Sequence, residues 1–394
     1  MAETDVVEKT AAAAPRADLC GLRAEEFVAW GRSALGFSPR FHRALYRHLL
    51  ATGSIDAAAL PMWVEAERTR PGICAQVREV AAALQIPTVE NSVVAEDPER
   101  GRTVKMVGRL TDGERVETVL IPMGKAVGIR DPQGPAQQAE RKSHHTVCVS
   151  SQVGCRMGCA FCHTARMGLR RNLAVHEIVG QVVMAGVHGG VHPDRARPRN
   201  VVFMGMGEPL DNVEAVAAAV RVLTDVGGLA IAHHHITVST VGRVDVLPRW
   251  HDLGLSRVNL AVSLGAADDA LRSQLMPVNR TAPLAQLKRA LVDLRLAEAG
   301  RRVLVACVLI PGVNDRAEDA VKVKEWLDGL PVLVNLIPFN PIPGKDWRAP
   351  SAEEVAAFRD RLDELGVPVR LRTTKGERVM AACGQLGRPG RRET

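Results

Sequence analysis

Residues 146–165 read TVCVSSQVGCRMGCAFCHTA, a short β-branched run leading straight into three cysteines, Cys155, Cys159 and Cys162. The whole chain of 394 residues has only eight cysteines, so this concentration asks for a chemical reason. The opening segment MAETDVVEKTAAAAPRADLC has no basic stretch followed by an apolar core, so no secretory signal is expected. No uncharged run approaches the length of a membrane span. A cytoplasmic location follows as the expectation. There thiols stay reduced, and clustered cysteines indicate metal or redox chemistry rather than disulfide staples. The C-x3-C-x2-C spacing leaves two sites open. Structural zinc wants four ligands, and His163 beside Cys162 could be the fourth. Three thiolates alone suit a [4Fe–4S] cluster with one iron free to bind a cofactor, and the spacing favours that site.

Working outward, strand-like and helix-like segments alternate. The apolar, β-branched runs are TVCVS (146–150), NVVFMG (200–205), HITVST (235–240), RVNLAVSL (257–264), RVLVACVLI (302–310) and VLVNLIPF (332–339). Stretches of helical period follow them, such as VHEIVGQVVMAGVHG (175–189) and AEEVAAFRDRLDELG (352–366). Nearly continuous apolar strands suit a parallel sheet covered by helices, so the fold class is α/β. Six units suggest a partial (β/α)6-type barrel with its chemistry at the C-terminal strand ends. Periodicity does not separate this from a doubly wound sheet.

Upstream the pattern differs. TVKMVGRL, the turn Asp112-Gly113 and RVETVLIPM form a β-hairpin, followed by a long basic loop rich in Gly, Pro and Gln up to His145. Residues 21 to about 85 read as short amphipathic helices that stop at glycines. The expected organisation is a disordered tail over 1–20, a helical N-terminal domain over 21–100, hairpin and loop over 101–145, and the barrel over 146–387. Net charge is +7, which favours a polyanionic partner, although an arginine-rich composition spread through ordinary helices accounts for it equally. Aromatic residues are only 3%, too few for a platform stacking many bases. The histidines at 233–235 read as a polar strand start, because neighbours on a strand point to opposite faces.

With these words in place the chain resembles the RlmN/Cfr family of radical S-adenosylmethionine (radical SAM) rRNA adenine methyltransferases. The resemblance is carried, in order over about residues 104–387, by CVSSQVGCRMGCAFCHTARMGLRRNL, GMGEPLDN, HITVSTVG, LAVSLGAADDALRSQLMPVNR, NLIPFNPIPG and AACGQL. It implies that Cys155, Cys159 and Cys162 hold the [4Fe–4S] cluster. It implies that Gly207, Glu208, Ser239, Ser263, Leu264, Gly265 and Asn340 bind SAM. By their residue types alone, GMGE is equally a glycine turn at a strand end, and Ser and Asn are ordinary turn residues.

The resemblance also makes Cys383 the methyl carrier and Cys148 the thiol that resolves a covalent intermediate. Cys307, Cys20 and Cys74 keep the plain reading of small buried hydrophobes. The carbons C2 and C8 of adenine are poor nucleophiles, which is why a radical route is needed. The implied course uses two SAM molecules. One methylates Cys383, and the second yields a radical that activates that methyl group for addition to the base. Proton loss and attack by Cys148 on Cys383 then release methylated RNA and leave a disulfide. The resemblance implies that Glu117 matches a position proposed to take part in proton transfer; the plain reading is an outward-facing carboxylate on a hairpin strand. Implied partners are 23S rRNA, tRNA as in some relatives, and an electron donor such as flavodoxin or ferredoxin; the chain is expected to act as a monomer.

Three departures bear on substrate. Gly265 stands where the family has histidine, the loop between Met123 and His145 is long and basic, and the helical N-terminus resembles the family only loosely. A paralogue applying the same chemistry to a peptide or small molecule is the second hypothesis. A cluster protein that binds RNA or senses redox state without catalysis is the third, and it has no need of Cys148 and Cys383.

Overall fold

The computed structural model describes residues 18–55, 63–83, 85–97, 101–123, 144–188, 198–372, 380 and 382–387. The N-terminal helices are α1 (Ala24–Leu35), α2 (Pro39–Thr52), α3 (Trp63–Thr69) and α4 (Ile73–Ala83), and the expected glycine stops end α1 at Gly36 and α2 at Gly53. In α2, Ser38 accepts a bond from the Phe41 amide at 3.3 Å and Pro39 opens the first turn. Gly53 closes it in the left-handed conformation. These helices are not a free-standing unit. The Ala24 amide donates to Asp225 Oδ2 at 2.7 Å, and Phe27, Leu45, Tyr46 and Leu49 join the same core as the sheet.

The strands are β1 (Thr88–Asp97), β2 (Gly101–Arg109), β3 (Arg115–Met123), β4 (His144–Cys148), β5 (Gln152–Cys155), β6 (Gly168–Asn172), β7 (Asn200–Phe203), β8 (Ile236–Thr240), β9 (Asn259–Ser263), β10 (Val303–Leu309), β11 (Val332–Pro338) and β12 (Val369–Leu371). Helices α5 (Val175–His188), α6 (Val213–Thr224), α7 (Asp269–Leu275), α8 (Leu284–Asp293), α9 (Ala317–Leu327) and α10 (Ala352–Glu364) lie between them. One ten-stranded sheet runs in the order β1-β2-β3-β4-β7-β8-β9-β10-β11-β12. From β4 to β12 every pairing is parallel, whereas β1 to β4 pair antiparallel. The parallel strands follow chain order without reversal, which excludes the doubly wound alternative. The sheet does not close among the described residues: β1 and β12 are its edges, so the partial barrel is open.

Along β10, Val303, Val305, Cys307 and Leu309 are buried in the core under the helices. The alternate residues Leu304, Ala306 and Val308 line the inner concave face.

Several sequence expectations are corrected. Thr88–Asp97, inside the stretch expected to be helical, is the edge strand β1. Leu19–Gly21 forms a 3-10 turn with Leu19 and Cys20 buried, so the disorder expected up to residue 20 does not reach them. Residues 1–17 lie outside the described residues, as does most of the basic loop, 124–143. His233–His235 is a 3-10 turn ahead of β8, not the start of the strand. Finally, β5 and β6 form a separate two-stranded sheet that frames the cysteine loop.

Candidate active site

The inner faces of the parallel strands converge at their C-terminal ends on a cavity of about 160 Å³. Cys155, Cys159 and Cys162 line it, together with Gly207, Glu208, Ser239, Ser263, Asn340 and Cys383. Residues that the sequence scatters over more than half the chain thus share one space. Ser239 and Ser263 reach it because period two puts both on the concave face near the ends of β8 and β9.

The cysteine loop is set by β5 and β6. Gly154 has φ +77, and a Cβ there would stand 1.8 Å from the Gly168 carbonyl oxygen, so glycine is required immediately before Cys155. Burial pushes the Cys155 thiol up to about 12 and Cys159 well above its ordinary value. Cys162 shifts upward for the same reason, and the neighbouring thiols and Glu208 add to the cost of charge on Cys155 and Cys159. A cationic centre bound among them would supply the missing compensation. Among the described residues no three His, Cys, Asp or Glu side chains are placed to close on a single metal ion. Three thiols lining one cavity are a fitting donor set for a polynuclear cluster, in which each would take its own iron. His163, the fourth ligand of the zinc alternative, does not line the cavity.

Glu208 is only 2% exposed. Its Oε1 accepts from the Leu210 amide at 3.0 Å and its Oε2 from the Val241 amide at 2.9 Å. Desolvation pushes its carboxyl upward against these bonds, so an ammonium group in the cavity would be a favourable partner. Gly207, at φ +101, packs its backbone against Gln152, where a Cβ would stand 2.6 Å from the Gln152 side chain. Leu264 and Gly265 lie outside the lining of this cavity. The Leu264 carbonyl accepts from Arg272 Nε at 2.9 Å and the Gly265 carbonyl from Asn314 Nδ2 at 2.8 Å, so both carbonyls brace loops.

Cys383 also borders a second cavity of about 380 Å³ that runs down the concave face. Cys148, on β4, packs with Val119, Met206 and Leu386, the last from the segment that carries Cys383. Its thiol is pushed up to about 12, first by burial and then by Cys383. Arg372 opposes that shift, and its own affinity for the proton rises because Cys383 and Cys148 both face it. Glu117 is buried and does not line the site cavity; it pairs with Lys105 at 2.9 Å.

Sequence reasoning missed Arg372, Lys105 and Arg272. Arg272 lies inside the word LAVSLGAADDALRSQLMPVNR and Lys105 inside the hairpin strand TVKMVGRL, but nothing in spacing or composition singles out any of the three, and their importance comes from what the fold brings beside them. It also missed Gln181. That side chain accepts from Thr118 Oγ1 at 3.0 Å and the Ser150 amide at 2.8 Å, joining the hairpin to the end of β4.

The Radical SAM superfamily model matches residues 149–323. A probable dual-specificity RNA methyltransferase RlmN from Protochlamydia amoebophila is 41% identical over 289 residues, 73% of this chain and 74% of the relative. The chain belongs to the RlmN-type radical SAM methyltransferases. A probable RNA methyltransferase from Sorangium cellulosum is 41% identical over 341 residues, 85% of this chain and 78% of the relative. The crystal structure of a radical SAM methyltransferase from Sphaerobacter thermophilus superposes with a TM-score of 0.75 at 35% identity, covering 94% of this chain and 99% of that one. As a member of this family the protein is a SAM-dependent radical methyltransferase, and membership implies a [4Fe–4S] cluster and SAM. The buried thiols and the buried carboxylate of Glu208 fit those two groups. No helix among the described residues of this RlmN-type chain is long and apolar enough to cross a membrane.

Proposed function

We propose that this enzyme methylates an adenine carbon, C2 or C8, of 23S rRNA and also acts on tRNA, through a methyl group carried on Cys383. The observation that carries this reading is the meeting of Cys383 with Cys155, Cys159, Cys162 and Glu208 in one cavity. The naming of its relatives as RNA methyltransferases supports an RNA substrate. Cys155, Cys159 and Cys162 would hold the cluster, while Glu208, Gly207, Ser239, Ser263 and Asn340 would hold SAM. When bound, these groups supply a one-electron, radical route to a carbon that polar chemistry reaches slowly.

The chain's own part falls to a few groups. Cys383 accepts a methyl group as a thioether and presents it in the cavity, and two SAM molecules are consumed per turnover. Glu117 is proposed to take part in removing the ring proton; since it lies outside the cavity lining, it would have to do so through an intervening group. Cys148 attacks the Cys383 sulfur of the joined intermediate. The sulfur–sulfur bond forms as the sulfur–carbon bond breaks, and the departing carbon keeps the electron pair and takes up a proton. The resulting disulfide must be reduced before the next turnover. We place the enzyme in the cytoplasm as a monomer served by flavodoxin or ferredoxin.

The test is anaerobic turnover of the cluster-loaded enzyme with deuteromethyl-SAM, reductant and unmodified 23S rRNA or tRNA, followed by nucleoside mass spectrometry. Labelled 2-methyladenosine or 8-methyladenosine, absent from Cys383→Ala, is the expected result and identifies the carbon. Label on Cys383 with none in either RNA would leave the methyl carrier in place and remove RNA as its substrate.

A further inference from the structure

The segment from Met380 to Gly387, which carries Cys383, is gripped at both ends by one buried ion pair. On the hairpin, Val107 pairs with Glu117 and Lys105 with Val119, so Lys105 and Glu117 are diagonal neighbours on one face. Their charges meet at 2.9 Å with side-chain exposures of 7% and 4%. Lys105 Nζ also donates to the Met380 carbonyl at 2.9 Å, and the Gly387 amide donates to Glu117 Oε2 at 2.8 Å. The pair therefore bridges the two ends of the loop. Met380 sits at φ +52, a conformation that a non-glycine residue holds only when its surroundings require it.

Between those ends the loop is held from two further directions. The His163 amide donates to the Gly384 carbonyl at 2.7 Å and Thr164 Oγ1 to the Leu386 carbonyl at 2.5 Å, both from residues just after Cys162. Asn340 Nδ2 donates to the Cys383 carbonyl at 3.2 Å, and Gln385 Nε2 to the Pro341 carbonyl at 3.0 Å.

A buried ion pair is a poor source of net stability, since the desolvation of two charges offsets their attraction and an apolar pair would often do as well. What this pair offers, and an apolar one cannot, is polarity of the right sense at each end: a cation for a carbonyl and an anion for an amide. We propose that Lys105 and Glu117 form a clasp that fixes the base of the Cys383 loop, and that Lys105 is a positioning residue for the methyl carrier. This rests on the methyl-carrier assignment made above. It also gives Glu117 a structural duty at the loop's end, separate from any contact with substrate.

The test is hydrogen exchange read by mass spectrometry in the cluster-loaded enzyme, comparing wild type with K105M/E117M, which removes both charges together. The expected result is at least tenfold faster exchange in the peptide spanning 380–387, with the β9 peptide unchanged. Equal exchange of the 380–387 peptide in both proteins would overturn the clasp. If the double variant unfolds, shown by faster exchange in β9 too, the wild type decides. Protection of the Gly387 amide comparable to that of β2 amides supports the clasp, and free exchange of that amide overturns it. Exchange is read without any methyl transfer, so failure to methylate RNA would count against the proposed function and leave the clasp standing.

Discussion

At Cys148 burial and electrostatics pull in opposite directions. Removal from water, with Cys383 adding to it, holds the thiol up to about 12, while the Arg372 guanidinium favours the thiolate. In the joined intermediate Cys383 is a neutral thioether, so burial, the larger cause, is what still holds the Cys148 thiol up. Below its pKa the thiolate fraction grows tenfold with each pH unit, and the thiolate is the attacking species. Formation of the Cys148–Cys383 disulfide during turnover is therefore expected to accelerate about tenfold per unit between pH 7 and pH 9. Arg372→Met, which removes the positive charge that favours the Cys148 thiolate, is expected to slow it roughly tenfold at pH 7.5. Alkylation-quenched turnover, with the 148–383 disulfide counted by peptide mass spectrometry, measures both. A pH-independent rate would mean that Cys148 is not the attacking thiol. At this scale the cysteine spacing was legible without any structure. Arg372 was not, because it follows a three-residue strand and gains its role only from the two sulfurs packed beside it.

Among elements, strands and helices with a buried face declared themselves by period, and those without one did not. TVENSVVAED of β1 is mostly exposed along both faces, so no alternation marks it, and β12 is too short to show any. Loop-bracing side chains are equally silent in sequence. Arg272 on α7 is fully buried, and its Nε donates to the Leu264 carbonyl at 2.9 Å. Its Nη1 donates to Asn279 Oδ1 at 2.7 Å and its Nη2 to the Val241 carbonyl at 2.8 Å. It thus ties the loops that follow β8 and β9, the strands whose ends present Ser239 and Ser263. Arg272→Leu leaves these acceptors without their donor and is expected to lower stability by about 3 kcal/mol. Arg272→Lys recovers only part, because an ammonium cannot span three directions as the guanidinium fork does. A urea midpoint that falls with unchanged slope checks this, and an unmoved midpoint would show that the bonds carry little.

For the molecule as a whole, the parallel sheet was readable as a class but its order was not. Strand order is decided by pairings between residues far apart in sequence, which periodicity does not encode. The order matters for what the cluster does to stability. One large core unites the sheet, its covering helices and the N-terminal helices. A second, small core lies under the loops at the site and includes Cys155, Met157, Cys159, Leu275, Met276, Ile310 and Phe339. A third and smaller one joins Val119, Cys148, Met206 and Leu386. Separate cores imply separate levels of stability. Removing the cluster by chelation leaves neutral buried thiols in the small core and touches nothing in the large one. Exchange is then expected to rise in the peptides covering 155–162 and 380–387, which the bonds from His163 and Thr164 join, while β4 and β7–β11 stay protected. The main thermal transition is expected to move by less than about 5 °C, since a local opening adds little to the global term. Collapse of protection across the sheet would instead mean that the cluster is part of the folding nucleus, as metals are in small metal-dependent domains. The size of the apolar core under the sheet argues for the first outcome.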